Sequence, residues 1–146
     1  MPVIGFRLAQ AKSLFFDRQK VLSQVSRGER KVLSKFGAYV RQDAKQRIRR
    51  RKRSSQVGES PTNQAGLLKR HLYFVFDPDR RSVVIGPILL NRGTGAPATL
   101  EYGGTTTLTF SRRESVQVEI APRPYMGPAF RQELPKLPAL WRDSVR

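Results

Sequence analysis

The sequence has 146 residues, of which 38% are hydrophobic, so it is long enough for one compact domain and too short to predict two. It contains no cysteine, which excludes disulfides, thiolate metal sites and a cysteine nucleophile. Lys and Arg number 28 against 11 acidic residues, and the net charge of +17 favours polyanions or acidic protein surfaces as partners. No apolar run approaches the length of a membrane span, and the first residues lack the order of a signal peptide, so we expect a soluble protein that the Sec route does not export.

An apolar stripe with helical spacing follows Asp17, which is a suitable N-cap. The stripe predicts helix from about residue 18 to about residue 50. Its members are Val21, Leu22, Val25, Val32, Leu33, Phe36, Val40, Ala44 and Ile48. Gly28 and Gly37 lie on or beside it, where each costs up to about 1 kcal/mol relative to alanine unless a neighbour packs closely. Two interpretations stay open: one long helix with a tightly packed partner, or two helices joined near Gly28.

The densest positive charge is the run KQRIRRRKR at 45–53, in which seven of nine residues are basic and none is acidic. The segment after it is rich in Ser, Gly, Pro and Asn, so a basic flexible loop is predicted at about 49–65. The run is a candidate contact for DNA phosphates, with an acidic neighbouring protein or a solvated helix end as alternatives. Its candidate contact residues are Lys45, Arg47, Arg49, Arg50, Arg51, Lys52 and Arg53. No zinc-finger spacing, heptad array or base-stacking motif accompanies them, so any DNA contact is expected to be non-specific.

Two pairs of β-rich runs predict two antiparallel hairpins. The first lies within HLYFVFDPDRRSVVIGPI at 71–88, where the turn composition DPDRR separates the runs. The second joins TTTLTF to SVQVEIA around 111–114. From Pro128 the chain is expected to be helical, with Pro135 and Pro138 dividing the helix into short pieces. The expected fold is α+β, a single domain over 1–146 with a long N-terminal helix packed on an antiparallel sheet of about four strands, and a C-terminal helix.

The titratable residues do not form a recognisable catalytic pattern. His71 is the only histidine, and general acid–base catalysis needs a positioned partner that the sequence does not supply. Asp77 and Asp79 belong to a favourable turn sequence. Glu101 precedes Tyr102 and two glycines, and a single carboxylate there is able to cap a helix or to pair with an arginine. We therefore predict a protein that is not an enzyme and has no catalytic residues, cofactor or metal site.

Four short segments, GLLKRHLYF, VVIGP, APATLEYGG and RPYMGPAF, follow one another in this order. Their order and spacing resemble the tailed-bacteriophage family of neck or tail-completion proteins, which includes minor tail and head-tail joining components. In that family a basic helical half precedes a Gly-x-Leu segment, a Val-x-Val-Gly strand, a Glu-aromatic-Gly element and an Arg-Pro-aromatic sequence that opens the last helix. The matching positions here are Gly66, Leu67, Leu68 and Lys69; Val84, Ile85, Gly86 and Pro87; Glu101, Tyr102 and Gly103; and Arg123, Pro124, Tyr125, Met126, Pro128 and Ala129.

The resemblance implies a structural virion protein that assembles into a homo-oligomeric ring, a hexamer or a dodecamer, at the neck of the particle. Its partners would be the head connector or adaptor and the tail tube protein, with genomic DNA passing through the ring and no membrane involved. It would be made in the cytoplasm of the host bacterium. Two roles stay open, tail terminator and head-tail joining protein. The alternative from another class is a non-specific nucleic-acid-binding protein that uses the basic run.

Overall fold

The computed structural model describes residues 18–62, 66–88, 96–109 and 115–144. The elements of these ranges are α1 (Arg18–Arg47), α2 (Leu67–Arg70), β1 (Leu72–Asp77), β2 (Ser82–Pro87), α3 (Ala96–Tyr102), β3 (Gly104–Thr109), β4 (Ser115–Ile120), α4 (Met126–Glu133), a 3₁₀ turn (Leu134–Lys136) and α5 (Leu137–Arg142). The expected α+β class is confirmed. The proposed N-cap Asp17 and the hairpin turn at 111–114 lie outside the described residues.

Helix α1 runs without interruption through both glycines, so the two-helix interpretation is wrong. The interpretation as one long helix requires a neighbour that packs closely on a glycine, and Gly37 has such neighbours. A Cβ atom built on Gly37 would lie 2.7 Å from Val83 Cγ2 and 3.0 Å from the ring of Phe74. At Gly28 the nearest atoms, those of Ser144, are 3.7 Å away. The hairpin of β1 and β2 therefore reaches α1 because residue 37 has no side chain.

The apolar stripe of α1 forms the centre of the core, as its spacing predicts. The buried residues of the core are Val32, Phe36, Val40, Ala44, Ile48, Leu68, Leu72, Tyr125 and Ala129. The ring of Phe36 meets the ring of Phe130 edge to face, with centroids 5.7 Å apart, so α4 packs across the middle of α1. The first part of α1, 18–27, is exposed on every side. The stripe therefore extends beyond the packed body of the domain.

The first predicted hairpin is confirmed, because β1 and β2 pair antiparallel from Leu72↔Pro87 to Asp77↔Ser82. The side chain of Asp77 accepts hydrogen bonds from the backbone N–H groups of Asp79 (3.0 Å) and Arg80 (3.2 Å), which stabilises the turn. Two guanidinium nitrogens of Arg81 donate to the carboxylate of Glu29, at 2.9 and 2.6 Å. The turn is thus attached to α1.

The second hairpin is also present, but its strands form a separate sheet instead of extending the first. Strands β3 and β4 pair antiparallel from Gly104↔Ile120 to Thr109↔Ser115, and each of the two sheets has two strands. Gly103 and Gly104 both have positive φ, 77° and 126°, so the chain changes direction immediately before β3. Most described side chains of this hairpin are exposed, although Thr106 is buried. With so few apolar positions, the hairpin has little reason to pack on the core.

The C-terminal region consists of three short pieces, as the two prolines predict. Helix α4 starts at Met126, two residues before the predicted Pro128, and the 3₁₀ turn and α5 follow directly. Pro135 and Pro138 each occupy one of the first positions of their piece, where the missing N–H group costs no helical hydrogen bond. Helices α4 and α5 both pack on α1, so the C-terminal part of the described chain lies against its N-terminal helix.

Substituting the two glycines of α1 separately tests the close packing. Gly37→Ala should lower the free energy of unfolding by about 1–3 kcal/mol, because the new methyl group overlaps Val83 and Phe74. Gly28→Ala has room and should raise it by up to about 1 kcal/mol, because alanine favours helix. Urea unfolding followed by circular dichroism measures both values. A stabilising effect at both positions would contradict the packing described here.

Candidate functional site

The four segments that sequence analysis singles out all contribute side chains to one apolar cluster, and the carboxylate of Glu101 joins two of them at the start of α4. Its Oε2 accepts hydrogen bonds from the backbone N–H groups of Tyr125 (2.8 Å) and Met126 (3.0 Å), and its Oε1 accepts one from Gly127 (2.7 Å). The first N–H groups of a helix have no partner within the helix, and the helix dipole makes this end positive. Glu101 therefore caps α4, one of the two roles that the sequence suggests for it.

The backbone around Glu101 holds its helix against the segment before α4. The N–H of Gly103 donates to the carbonyl of Thr99 (2.8 Å), and the N–H of Arg123 donates to the carbonyl of Leu100 (2.7 Å). Gly103 has a φ of 77°, and a Cβ on it would lie 2.9 Å from Cδ of Pro122. Only glycine fits this corner, because it tolerates both the left-handed conformation and the contact. The Glu-Tyr-Gly segment thus fixes where α4 begins.

Tyr125 lies at the bottom of this junction and is 1% exposed. It packs in the core with Leu68 and Leu72, so the Gly-Leu-Leu segment and the Arg-Pro-Tyr segment share one apolar cluster. Burial, with the negative charge of Glu101 as a smaller cause, raises the pKa of the Tyr125 phenol well above its usual range. The side chain stays neutral in the folded protein.

The segment after the basic run contacts the same junction. Nε of Arg123 donates to the carbonyl of Ser55 (3.2 Å), the N–H of Gly58 donates to the carbonyl of Pro122 (3.0 Å), and Oγ of Ser60 donates to the carbonyl of Pro124 (3.3 Å). Arg49 and Thr62 form an isolated parallel bridge, which brings the two ends of this segment side by side. The flexibility of the loop at 49–65 stays a prediction, and the structure adds that its middle is hydrogen-bonded to 122–124.

A mainly apolar cleft of about 340 Å³ lies beside the junction, and it is lined by motif positions of three segments, including Ile85, Tyr102 and Met126. Gly66 has a φ of 76° and precedes α2, whose Leu67 is exposed and whose Leu68 is buried. Gly86, in β2, lines the cleft, and so does Tyr102, which is 82% exposed. A side chain this exposed contributes little to the core, and it adds aromatic surface beside the cleft.

Arg47 belongs to the fold and is not an outward-reaching residue of the basic run. Its Nε donates to the carboxylate of Asp43 at 2.8 Å, and its Nη2 donates to Oε1 of Gln132 in α4. The guanidinium therefore links the end of α1 to α4. Among the candidate contact residues, Arg47 is the one whose side chain is most clearly bound within the fold.

The other residues of the run lie on two different faces. Arg49 and Arg51 line a cleft of about 470 Å³ together with the acidic residues Asp43 and Glu59. Lys45 and Arg50 line a separate cleft of about 380 Å³ with Lys69 and Arg70 from α2. The side chains of 49–53 are exposed. Sequence analysis missed the contribution of α2, because 15 residues lie between Arg53 and Lys69 and no local pattern joins them.

Within the described ranges, no group of three His, Asp or Glu side chains comes together that would hold a metal ion. His71 uses Nδ1–H to donate to the carbonyl of Leu67 at 2.8 Å, so one ring nitrogen is engaged in ending α2. None of the helices in these ranges has the length and apolar character needed to cross a membrane.

Comparison with protein-family models, with curated proteins and with solved structures gave no match for this chain.

Replacing Glu101 with glutamine tests the helix cap. The amide keeps the size of the carboxylate but has one acceptor oxygen and no charge, so Glu101→Gln should lower the free energy of unfolding by about 1–3 kcal/mol. Glu119→Gln is the matched control, because Glu119 is exposed on β4, and it should change the value by less than about 0.5 kcal/mol. Equal effects of the two substitutions in urea unfolding would contradict the cap.

Alkaline pH tests the burial of Tyr125. In the unfolded chain the phenol loses its proton near about pH 10, whereas in the folded chain its raised pKa keeps it neutral. Stability from this group is therefore present below about pH 10 and falls above it, by up to about 1.4 kcal/mol per pH unit. The free energy of unfolding of the Tyr125→Phe variant, measured with urea, should decline less steeply than that of the wild type between about pH 9 and about pH 11. The same decline in both proteins would show that Tyr125 is not the cause.

Proposed function

We propose that the protein is a structural virion protein of a tailed bacteriophage that forms a ring at the junction of head and tail. The observation that carries the proposal is the meeting of the four resembling segments at one junction. They are far apart in sequence, yet Glu101 binds the backbone at 125–127, and Leu68 shares a cluster with Tyr125.

The exposed apolar surface supports assembly from copies of this chain. Tyr73, Val75 and Val84 lie on the outer face of the first hairpin, where Val75 is directly opposite Val84, and all three are exposed. Tyr102 and Ile88 add further apolar surface beside the cleft at the junction. Contiguous apolar surface on a small domain is typical of a protein–protein interface. Because each copy carries +17, contacts between copies need such surface to offset repulsion.

The proposed mechanism is geometric. Head-to-tail contacts between identical subunits close into a ring when the rotation between neighbours allows it, and the ring leaves a central passage for DNA. One face of the ring would bind the head connector or adaptor and the other the tail tube. In this account the rigid junction around Glu101 keeps α4 in one orientation on α1, so that every subunit presents the same surface to its neighbour.

Electron microscopy of lysates tests the function. A phage or induced prophage that carries a stop codon at the position of Lys35 should make filled heads beside unattached tails, because the ring that connects them is missing. Tails of normal length would identify a joining protein, and overlong tails would identify a tail terminator. The wild-type lysate and a suppressor host that restores the residue are the controls. Intact, infectious particles in normal yield from the mutant would overturn the proposal.

A further inference from the structure

A strongly basic cleft lies between the end of α1 and the short helix α2. Its lining residues are Lys45, Ile48, Arg50, Gly66, Lys69 and Arg70. Ile48 is fully buried and forms part of its apolar base, and Leu68, also buried, packs in the same core cluster. Because α2 is fixed to the core through Leu68, the cations on its outer side are held near the end of α1 and are not carried on a free arm.

No carboxylate is among the described residues that line this cleft. The ion pairs of the described chain lie elsewhere, at Asp43–Arg47, Asp77–Arg80, Glu29–Arg81 and Glu133–Lys136. Burial, and then the charges of Arg41 and Lys69, lower the pKa of the Lys45 ammonium. Lys45 and Lys69 are therefore close enough to repel each other, and no acidic residue among the described lining residues offsets this repulsion.

We propose that Lys45, Arg50, Lys69 and Arg70 form a binding surface for the phosphodiester backbone of a nucleic acid. A uniformly anionic polymer complements a surface that has only positive charge, and each neutralised phosphate releases counterions. The cleft lined by Arg49 and Arg51 differs, since Asp43 and Glu59 lie beside them and give it mixed charge. Mixed charge suits a protein surface better than a phosphodiester chain.

The proposed surface differs from the basic run that the sequence singles out. The surface does not include Arg47, because its guanidinium binds Asp43 and Gln132. It does include Lys69 and Arg70, which lie in the segment that follows the loop. The proposal assigns these four cations to phosphate oxygens and assigns them no contact with base edges, so the binding it describes does not depend on base sequence. The inference does not depend on the ring or on the location of the protein in a virion, because it concerns binding by the chain itself.

The test measures how the affinity of the whole purified protein for DNA depends on salt. A fluorescein-labelled duplex of roughly 20 base pairs is titrated by anisotropy between about 50 and about 200 mM NaCl. Replacing all four residues, as Lys45→Gln, Arg50→Gln, Lys69→Gln and Arg70→Gln, should reduce the slope of log Kd against log salt by about 3–4, close to one unit for each lost phosphate contact. Circular dichroism checks that the variant folds. If it does not, the pair Lys69→Gln and Arg70→Gln, both on exposed side chains, should still reduce the slope by about 2.

The matched control removes the same charge from exposed positions elsewhere, with Arg18→Gln, Lys31→Gln, Arg131→Gln and Arg142→Gln. It should change the slope by less than about 1. Equal losses in the two variants would mean that only the total charge of the protein matters, and would overturn the assigned surface. Poly-L-glutamate at the same concentration of charge serves as the competitor. If it displaces the duplex as well as unlabelled DNA does, the surface fits acidic proteins equally, and the assignment to nucleic acid fails.

Discussion

The arrangement of the domain depends on one carboxylate that accepts three backbone hydrogen bonds. Helix α4 has eight residues, begins with no capping side chain of its own, and is followed by two prolines. A helix this short is marginal without external contacts, because few hydrogen bonds offset the entropy of ordering it. Glu101 supplies acceptors for the N–H groups at 125–127 and places negative charge at the positive end of the dipole. This contact fixes the start of α4, while the Phe36–Phe130 ring contact and the hydrogen bond from Arg47 to Gln132 hold α4 on α1.

The same contact connects parts of the chain that are otherwise distant. Glu101 lies in the last turn of α3, and only Tyr102 separates it from the glycines that lead into the exposed second hairpin. On the other side, Tyr125 reaches the core of α1 and α2, and Arg123 holds the segment that follows the basic run. Glu101 therefore lies between the second hairpin, the C-terminal helices and the segment that follows the basic run.

Local pattern was sufficient to predict most elements and insufficient to predict how they meet. The spacing of Val32, Phe36 and Val40 indicates the helix and its buried face, and the composition at 77–81 indicates the first turn. The division of the strands into two sheets is not local, since it depends on the positive φ at Gly103 and Gly104 and on the weak apolar character of the second hairpin. Glycine pairs with this role look the same in sequence as glycine pairs in any loop.

The basic residues illustrate the same limit at the candidate site. In the sequence, 45–53 appears as one charged run, but the side chain of Arg47 binds Gln132, 85 residues away. Lys69 and Arg70, which belong to α2, line one cleft with Lys45 at the end of α1, although a loop separates them in the chain. The folded chain therefore divides the run into three parts. Arg47 links α1 to α4, Arg49 and Arg51 line a cleft of mixed charge, and Lys45 and Arg50 line a cleft whose described charges are all positive. The proposed ring would present the last of these to an anionic partner while apolar surface joins its subunits.

The most direct measurement is cryo-electron microscopy of the head–tail junction in virions that encode this chain. The account predicts a closed ring between connector and tail tube, into whose density the long helix α1, the first hairpin and the Glu101-capped α4 fit once per subunit. A junction whose density is filled entirely by other proteins, in particles that mass spectrometry finds to lack this chain, would contradict it.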